Sequence, residues 1–288
     1  MPHLPDDIET QYNPRKAVPD AERFAEWAAQ RSEMARARHH ARLDLRYGPG
    51  ALATLDVFPA GTPGAPIHVF LHGGYWRGRD KRDYSYVADA LVPQGITTVV
   101  MNYDLCPAVE LPFIVQQVRE ALEWIHAHAE ELGGDSRAIS VSGHSAGAHL
   151  LAAALPSADE PQPAPAWLPQ VAVLISGIYE LEPVLSISVN QEIRLRAEQV
   201  DAMSPMRHLP TTAVPLTVVV GGSETREWIR QSHDFAHACA ARGTQTAYVE
   251  LPGLHHYSIM SPLEAPHTLL ARIIGAVARR VPAAAPAR

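Results

Sequence analysis

Six short apolar runs, separated by stretches of mostly helical periodicity, constrain this chain more than any other feature of its sequence. They cover residues 67–71, 97–102, 138–142, 171–176, 216–220 and 246–250. A strand that is apolar on both faces must be covered on both, so the runs predict a mostly parallel sheet between two layers of helices. The covering helices are expected over 81–92, 112–131, 146–155, 227–242 and 263–280. Upstream, residues 43–47 and 53–58 alternate apolar and polar on either side of Gly48-Pro49-Gly50, the pattern of an antiparallel hairpin. Before the hairpin, Phe24, Trp27, Ala28, Met34 and Ala35 recur at helical spacing. They predict an N-terminal helix over 20–40, with Asp20 after Pro19 as its N-cap. Residues 179–207 fit neither period and are read as a small cap-like helical insertion over the strand ends, forming part of a pocket wall. No repeat or linker divides the chain, so a single domain over 1–288 is expected, with 282–288 as a flexible tail.

Composition removes several classes of function. With 47% apolar and 19% charged residues in 288, the chain can bury a substantial core, which excludes a disordered or fibrous protein. A net charge of −7 with scattered Lys and Arg offers no basic stripe, so no nucleic-acid partner is expected. No apolar run reaches the roughly 18 residues of a membrane span, and the start lacks a basic region followed by an apolar one. No membrane partner and a cytoplasmic location are therefore expected. Cys106 and Cys239 have no CxxC spacing and read as reduced thiols. A small-molecule substrate is the expected partner, and a homodimer is left open.

The chemistry concentrates in Ser140-Val141-Ser142-Gly143-His144-Ser145-Ala146-Gly147-Ala148-His149-Leu150. The GxSxG within it is a weak pattern by itself. Its place directly after an apolar strand and before an Ala/Leu helix makes it specific. On such a sharp turn the neighbours of the serine must be small, and the helix N-terminus faces developing negative charge. Ser145 is thus the predicted nucleophile. A serine hydroxyl also needs oxyanion donors and a general base. The Gly-rich turn leaving the strand at Leu71, His72-Gly73-Gly74-Tyr75-Trp76, supplies candidate oxyanion amides at Gly73, Gly74 and Tyr75, with Ala146 as the amide after the nucleophile. In the chain order serine, acid, histidine, the acid should follow a late strand. Glu224 does, whereas Glu227 and Asp234 lie further on where the chain should already be helical. After the next strand come His255 and His256, of which only one can point inward; His256 is preferred as base and His255 is the alternative. Substrate contacts are expected from Tyr75 and Trp76 beside the oxyanion turn, and from His144 beside the nucleophile. No HExxH and no cysteine cluster occurs, and His39-His40 and His255-His256 are adjacent pairs, so no metal is expected. Without GxGxxG after the first parallel strand, no dinucleotide cofactor is expected either.

These residues resemble the α/β-hydrolase superfamily, and His72-Gly73-Gly74-Tyr75-Trp76 matches the HGGxW motif of its kynurenine formamidase (arylformamidase) and esterase group. The resemblance extends through Asn102 to Pro107, Gly143 to His149, Ser176 to Pro183 and Gln231-Ser232. It implies an α/β-hydrolase fold and a cofactor-independent Ser/acid/His hydrolase that removes formyl from N-formyl-L-kynurenine or a similar aryl formamide in tryptophan breakdown. The alternative is a carboxylesterase or amidase for another small acyl substrate. A catalytically inactive binding module would be expected to lack a member of the Ser/acid/His set, and none is missing.

Overall fold

The computed structural model describes residues 7–157, 164–211 and 213–279. Its frame is one eight-stranded sheet: β1 (Arg42–Arg46), β2 (Thr54–Phe58), β3 (Ala65–Leu71), β4 (Thr97–Met101), β5 (Gly134–His144), β6 (Ala172–Ile175), β7 (Leu216–Gly221) and β8 (Thr246–Leu251). The strand order is β1-β2-β4-β3-β5-β6-β7-β8. β1 and β2 form the expected antiparallel hairpin, β2 joins β4 antiparallel, and every pair from β4 to β8 is parallel. This is the mostly parallel α/β-hydrolase sheet anticipated from the apolar runs.

Side chains alternate across the strands, so the sheet feeds two cores. Val69, Leu71, Val141, Leu174 and Val218 pack on one face against α5 (Leu111–Ala127), α6 (Ala146–Ala154) and α9 (Arg226–Ala241). Phe70, Val100, Val173, Ile175 and Val219 pack on the other with α3 (Ala21–Arg38), α4 (Ala88–Leu91) and α10 (Leu269–Ala278). All ten are essentially inaccessible to solvent. Each such side chain contributes about 1.5–3 kcal/mol relative to exposure, which fixes the register of the central strands.

Local chemistry breaks some expected helices. Residues 81–92 do not form one helix but two 3₁₀ turns, Lys81–Asp83 and Ser85–Val87, followed by α4 and a third turn at Val92–Gln94. The first turn is held down by Lys81, whose buried ammonium bonds Asp44 at 2.6 Å and Asp56 at 2.7 Å, and Gly95, with φ 77°, ends the run. The terminal helix begins at Leu269 rather than 263, because Pro266 holds Ala265 extended and Thr268 then caps the new helix through Ala271 N–H. Asp20 occupies the N-cap position of α3, but its side chain makes no cap bond and lies 3.8 Å from Arg23 instead. Two short helices that periodicity does not reveal, α1 (Ile8–Tyr12) and α2 (Pro14–Ala17), precede α3. The 179–207 insertion is helical as expected: a 3₁₀ turn Glu182–Ser186, α7 (Asn190–Ile193) and α8 (Ala197–Met203). The anticipated tail at 282–288 lies outside the described residues. Among those described, no helix is long and apolar enough to cross a membrane.

Candidate active site

β5 delivers Ser145 to its C-terminal end on a turn with φ 55° and ψ −117°, a conformation that non-glycine residues rarely adopt. Glycine neighbours make the turn possible. A β-carbon on Gly143 would lie 2.4 Å from the Gly147 carbonyl, and one on Gly147 would lie 2.3 Å from the Leu71 carbonyl oxygen. The strand, the turn and α6 therefore pass one another at backbone contact distance.

Ser145, His256 and Glu224 are brought together in line. His256 Nε2 lies 3.0 Å from Ser145 Oγ, and its Nδ1 lies 2.7 Å from Glu224 Oε2. A carboxylate can only accept, so Nδ1 carries the proton and Nε2 presents a lone pair to the serine hydroxyl. The Glu224 side chain is 1% exposed, and its second oxygen accepts from the Ser176 hydroxyl at 2.5 Å and from Gly221 N–H at 2.8 Å. Trp228 stands edge-on to the His256 ring at 4.7 Å and donates its indole N–H to the Ser176 carbonyl. Ser176 and Trp228 were not singled out as site residues. Ser176 belongs to a stretch whose only signal is family resemblance, and Trp228 looks like any core residue of an amphipathic helix. The alternatives fall elsewhere: His255 packs on Phe24 and accepts from the amides of Tyr257 and Ser258, while Glu227 and Asp234 both bond Arg230.

The glycine turn faces the serine. A β-carbon on Gly73 would lie 3.1 Å from Ser145 Cβ, so this loop and the Ser145 turn touch. Gly74, Tyr75 and Trp76 all have positive φ, at 120°, 53° and 56°. Among the described residues, no acceptor engages the amides of Gly74, Tyr75 or Ala146. Behind the loop, the His72 ring is stacked between Tyr84 and Tyr103, and its Nδ1 donates to the Gly73 carbonyl at 2.7 Å. Asn102 ties this layer together, its amide oxygen accepting Lys81 N–H at 2.6 Å and its nitrogen donating to Asp80.

The three expected substrate contacts divide. Tyr75 and His144 line the cleft above Ser145. His144 donates Nε2–H to the His256 carbonyl at 2.9 Å, and burial with the neighbouring His256 holds its pKa well below the ordinary value, so it is neutral. Trp76 is a correction: it is fully buried, does not line this cleft, and donates its indole N–H to His149 Nδ1 at 3.1 Å. It packs the strained loop against α6.

The cleft encloses about 340 Å³. The 179–207 insertion contributes one residue to the wall, Val189; much of the rest comes from Asn13, Arg15, Phe24, Trp27 and Ala28 at the N-terminus. That segment is pinned across the fold. Tyr75 OH donates to the Tyr12 carbonyl, Tyr12 OH to Glu227, the Thr225 hydroxyl to the Gln11 carbonyl, and Ser188 twice to Glu9.

The BD-FAE family matches residues 55–161. Kynurenine formamidase of Danio rerio is 30% identical over 282 residues, 93% of this chain and 94% of the relative. Esterase LipQ of Mycobacterium tuberculosis is 30% identical over 236 residues, 74% of this chain and 56% of its own length. The solved structure of a candidate thioesterase from Silicibacter sp. TM1040 superposes with a TM-score of 0.81 at 31% identity, covering 93% of this chain and 98% of that one.

Proposed function

The chain belongs to the kynurenine formamidase family of α/β-hydrolases, and from that premise we propose that it hydrolyses an aryl formamide of the N-formyl-L-kynurenine type through a formyl-serine intermediate. The observation that carries the reading is the continuous line from Glu224 through His256 to Ser145 beneath unengaged loop amides. His256 Nε2 takes the Ser145 proton as Oγ adds to the formyl carbon. The amides of Gly74, Tyr75 and Ala146 face the oxygen that becomes negative, and Gly73 sets their distance from the serine. The C–N bond then breaks as Nε2–H protonates the leaving aryl amine. Water, deprotonated by Nε2, attacks the formyl ester, and return of that proton to Oγ releases formate. Glu224 keeps Nδ1 protonated and offsets the charge of the transient imidazolium. The substrate is a small molecule, and the location is the cytoplasm, which two unpaired buried cysteines suit.

Similarity to a mycobacterial esterase supports a second reading, hydrolysis of a small carboxylic ester by the same residues. One assay separates the two: formate release from N-formyl-L-kynurenine beside hydrolysis of p-nitrophenyl acetate, with Ser145→Ala as control. The formamidase reading expects kcat/KM on the formamide of about 10⁴ M⁻¹s⁻¹ or better, lost in Ser145→Ala. Ester cleavage without formate release would leave the second reading in its place.

A further inference from the structure

Three arginines line the cleft, Arg15, Arg77 and Arg79, with a single acidic residue, Asp83, although the chain as a whole carries a charge of −7. Two of the three are neutralised. Arg15 pairs with Glu22 and Arg77 with Glu192. Arg79 has neither an ion pair nor a hydrogen bond among the described residues, and it is only partly exposed. Its placement is also constrained. Arg79 holds a left-handed backbone conformation, φ 71°, and its stem lies on the oxyanion loop, where a β-carbon on Gly74 would meet Arg79 Cγ at 3.0 Å. An arginine held in a sparsely populated conformation, beside the reacting centre and without a counter-ion, is an anion site awaiting its anion.

We propose that Arg79 determines specificity in this cleft by binding a carboxylate that the substrate carries away from its scissile bond. The inference rests on the acyl-transfer reading of the Ser145 site and goes beyond it, because that chemistry runs equally on neutral formamides and esters. The cleft then selects anionic acyl donors, and the contact that selects them also presses on the loop carrying the oxyanion amides.

Calorimetric titration of the full chain with 4-phenylbutanoate and with 4-phenylbutanamide, ligands of the same shape that differ in charge, tests this without any turnover. The acid should bind at least about tenfold more tightly at low salt, which corresponds to about 1.4 kcal/mol. Arg79→Gln should abolish the preference, and Arg79→Lys should keep part of it. A smaller preference in the wild type, or one that survives Arg79→Gln, overturns the proposal. The underlying reading fails separately: absent formate release and ester cleavage with the acid preference intact would sink the acyl-transfer assignment alone. Formate release without any acid preference would sink only the role of Arg79.

Discussion

Replacing Glu224 by glutamine changes almost no volume, yet the hydrogen bonds around it dictate a large effect. One carboxylate oxygen accepts from His256 Nδ1, the other from Gly221 N–H and the Ser176 hydroxyl. A hydroxyl can rotate to accept or donate; a backbone N–H can only donate. The glutamine oxygen must therefore turn to Gly221, which presents the amide nitrogen to His256 Nδ1. Nδ1 becomes the acceptor, the ring proton moves to Nε2, and the lone pair facing Ser145 is lost. The opposite orientation would restore the working tautomer but sets two donors against each other at the 2.8 Å Gly221 position. Leaving a buried donor unmet costs about 1–3 kcal/mol, and loss of the charge beside the imidazolium adds about 1.5–3 kcal/mol. Together these lower kcat by about 10²–10⁴, the upper end matching an acid-to-amide change in serine proteases. The assay is kcat for p-nitrophenyl acetate together with the rate of labelling by a fluorophosphonate, with thermal melting as a check on folding. A folded Glu224→Gln protein within tenfold of wild type on both readouts would refute the tautomer argument.

Gly147→Ala should fail where Gly48→Ala succeeds. The new methyl in the first meets the carbonyls of Leu71 and His72 at 2.3 and 2.7 Å, whereas in the second it makes an ordinary 3.6 Å contact with the Ala53 side chain. Melting temperatures and ester turnover of the two variants test this, and equal tolerance would contradict the close-approach account. Lys81→Met leaves Asp56 charged and 2% exposed, so it should cost about 3–5 kcal/mol in urea denaturation, and adding Asp56→Leu should recover much of that. A loss below about 1 kcal/mol would show that the pair does not matter. His68, buried between the Ser140 and Ser142 hydroxyls, has its pKa pushed down to about 3 by burial. Below the ordinary value of 6.5 the unfolded chain takes up a proton that the folded chain refuses, so this contribution to stability falls as pH drops from 6.5 towards 3. Between pH 7 and 4.5 the wild type should lose about 2–3 kcal/mol more than His68→Leu. Parallel losses in the two proteins would overturn the assignment.

What the sequence disclosed follows from how each feature is encoded. The central strands were legible because burial on both faces favours a mostly apolar run, and Thr97–Met101 is entirely buried. The Ser145 turn was legible because backbone contact at Gly143 and Gly147 admits only glycine there. His256 and Glu224 could be placed by their position after a strand. The broken segment around Lys81 was not legible, because its shape depends on Asp44 and Asp56, 37 and 25 residues away. The same is true of Trp76: nothing in its own motif reveals that His149 will claim its indole N–H. The cleft wall was hidden because the period of α3 marks Phe24, Trp27 and Ala28 as one helix face without saying what that face covers, and because α2, which carries Arg15, has four residues, too few to display a period.

That wall and the reacting groups are carried on separate pieces of chain. Ser145, Glu224 and His256 hang from the ends of β5, β7 and β8, whereas residues 13–28 reach the cleft from helices that take no part in the sheet. The BD-FAE match covers Ser145 and the glycine turn at 73–76 but none of residues 13–28. Substitution of the cleft-facing side chains of the leading helices can therefore remodel the chamber without replacing Ser145, Glu224 or His256. Reaction type and substrate choice are free to diverge at different rates, which gives a physical reason why chains named for formamides, esters and thioesters can share one sheet.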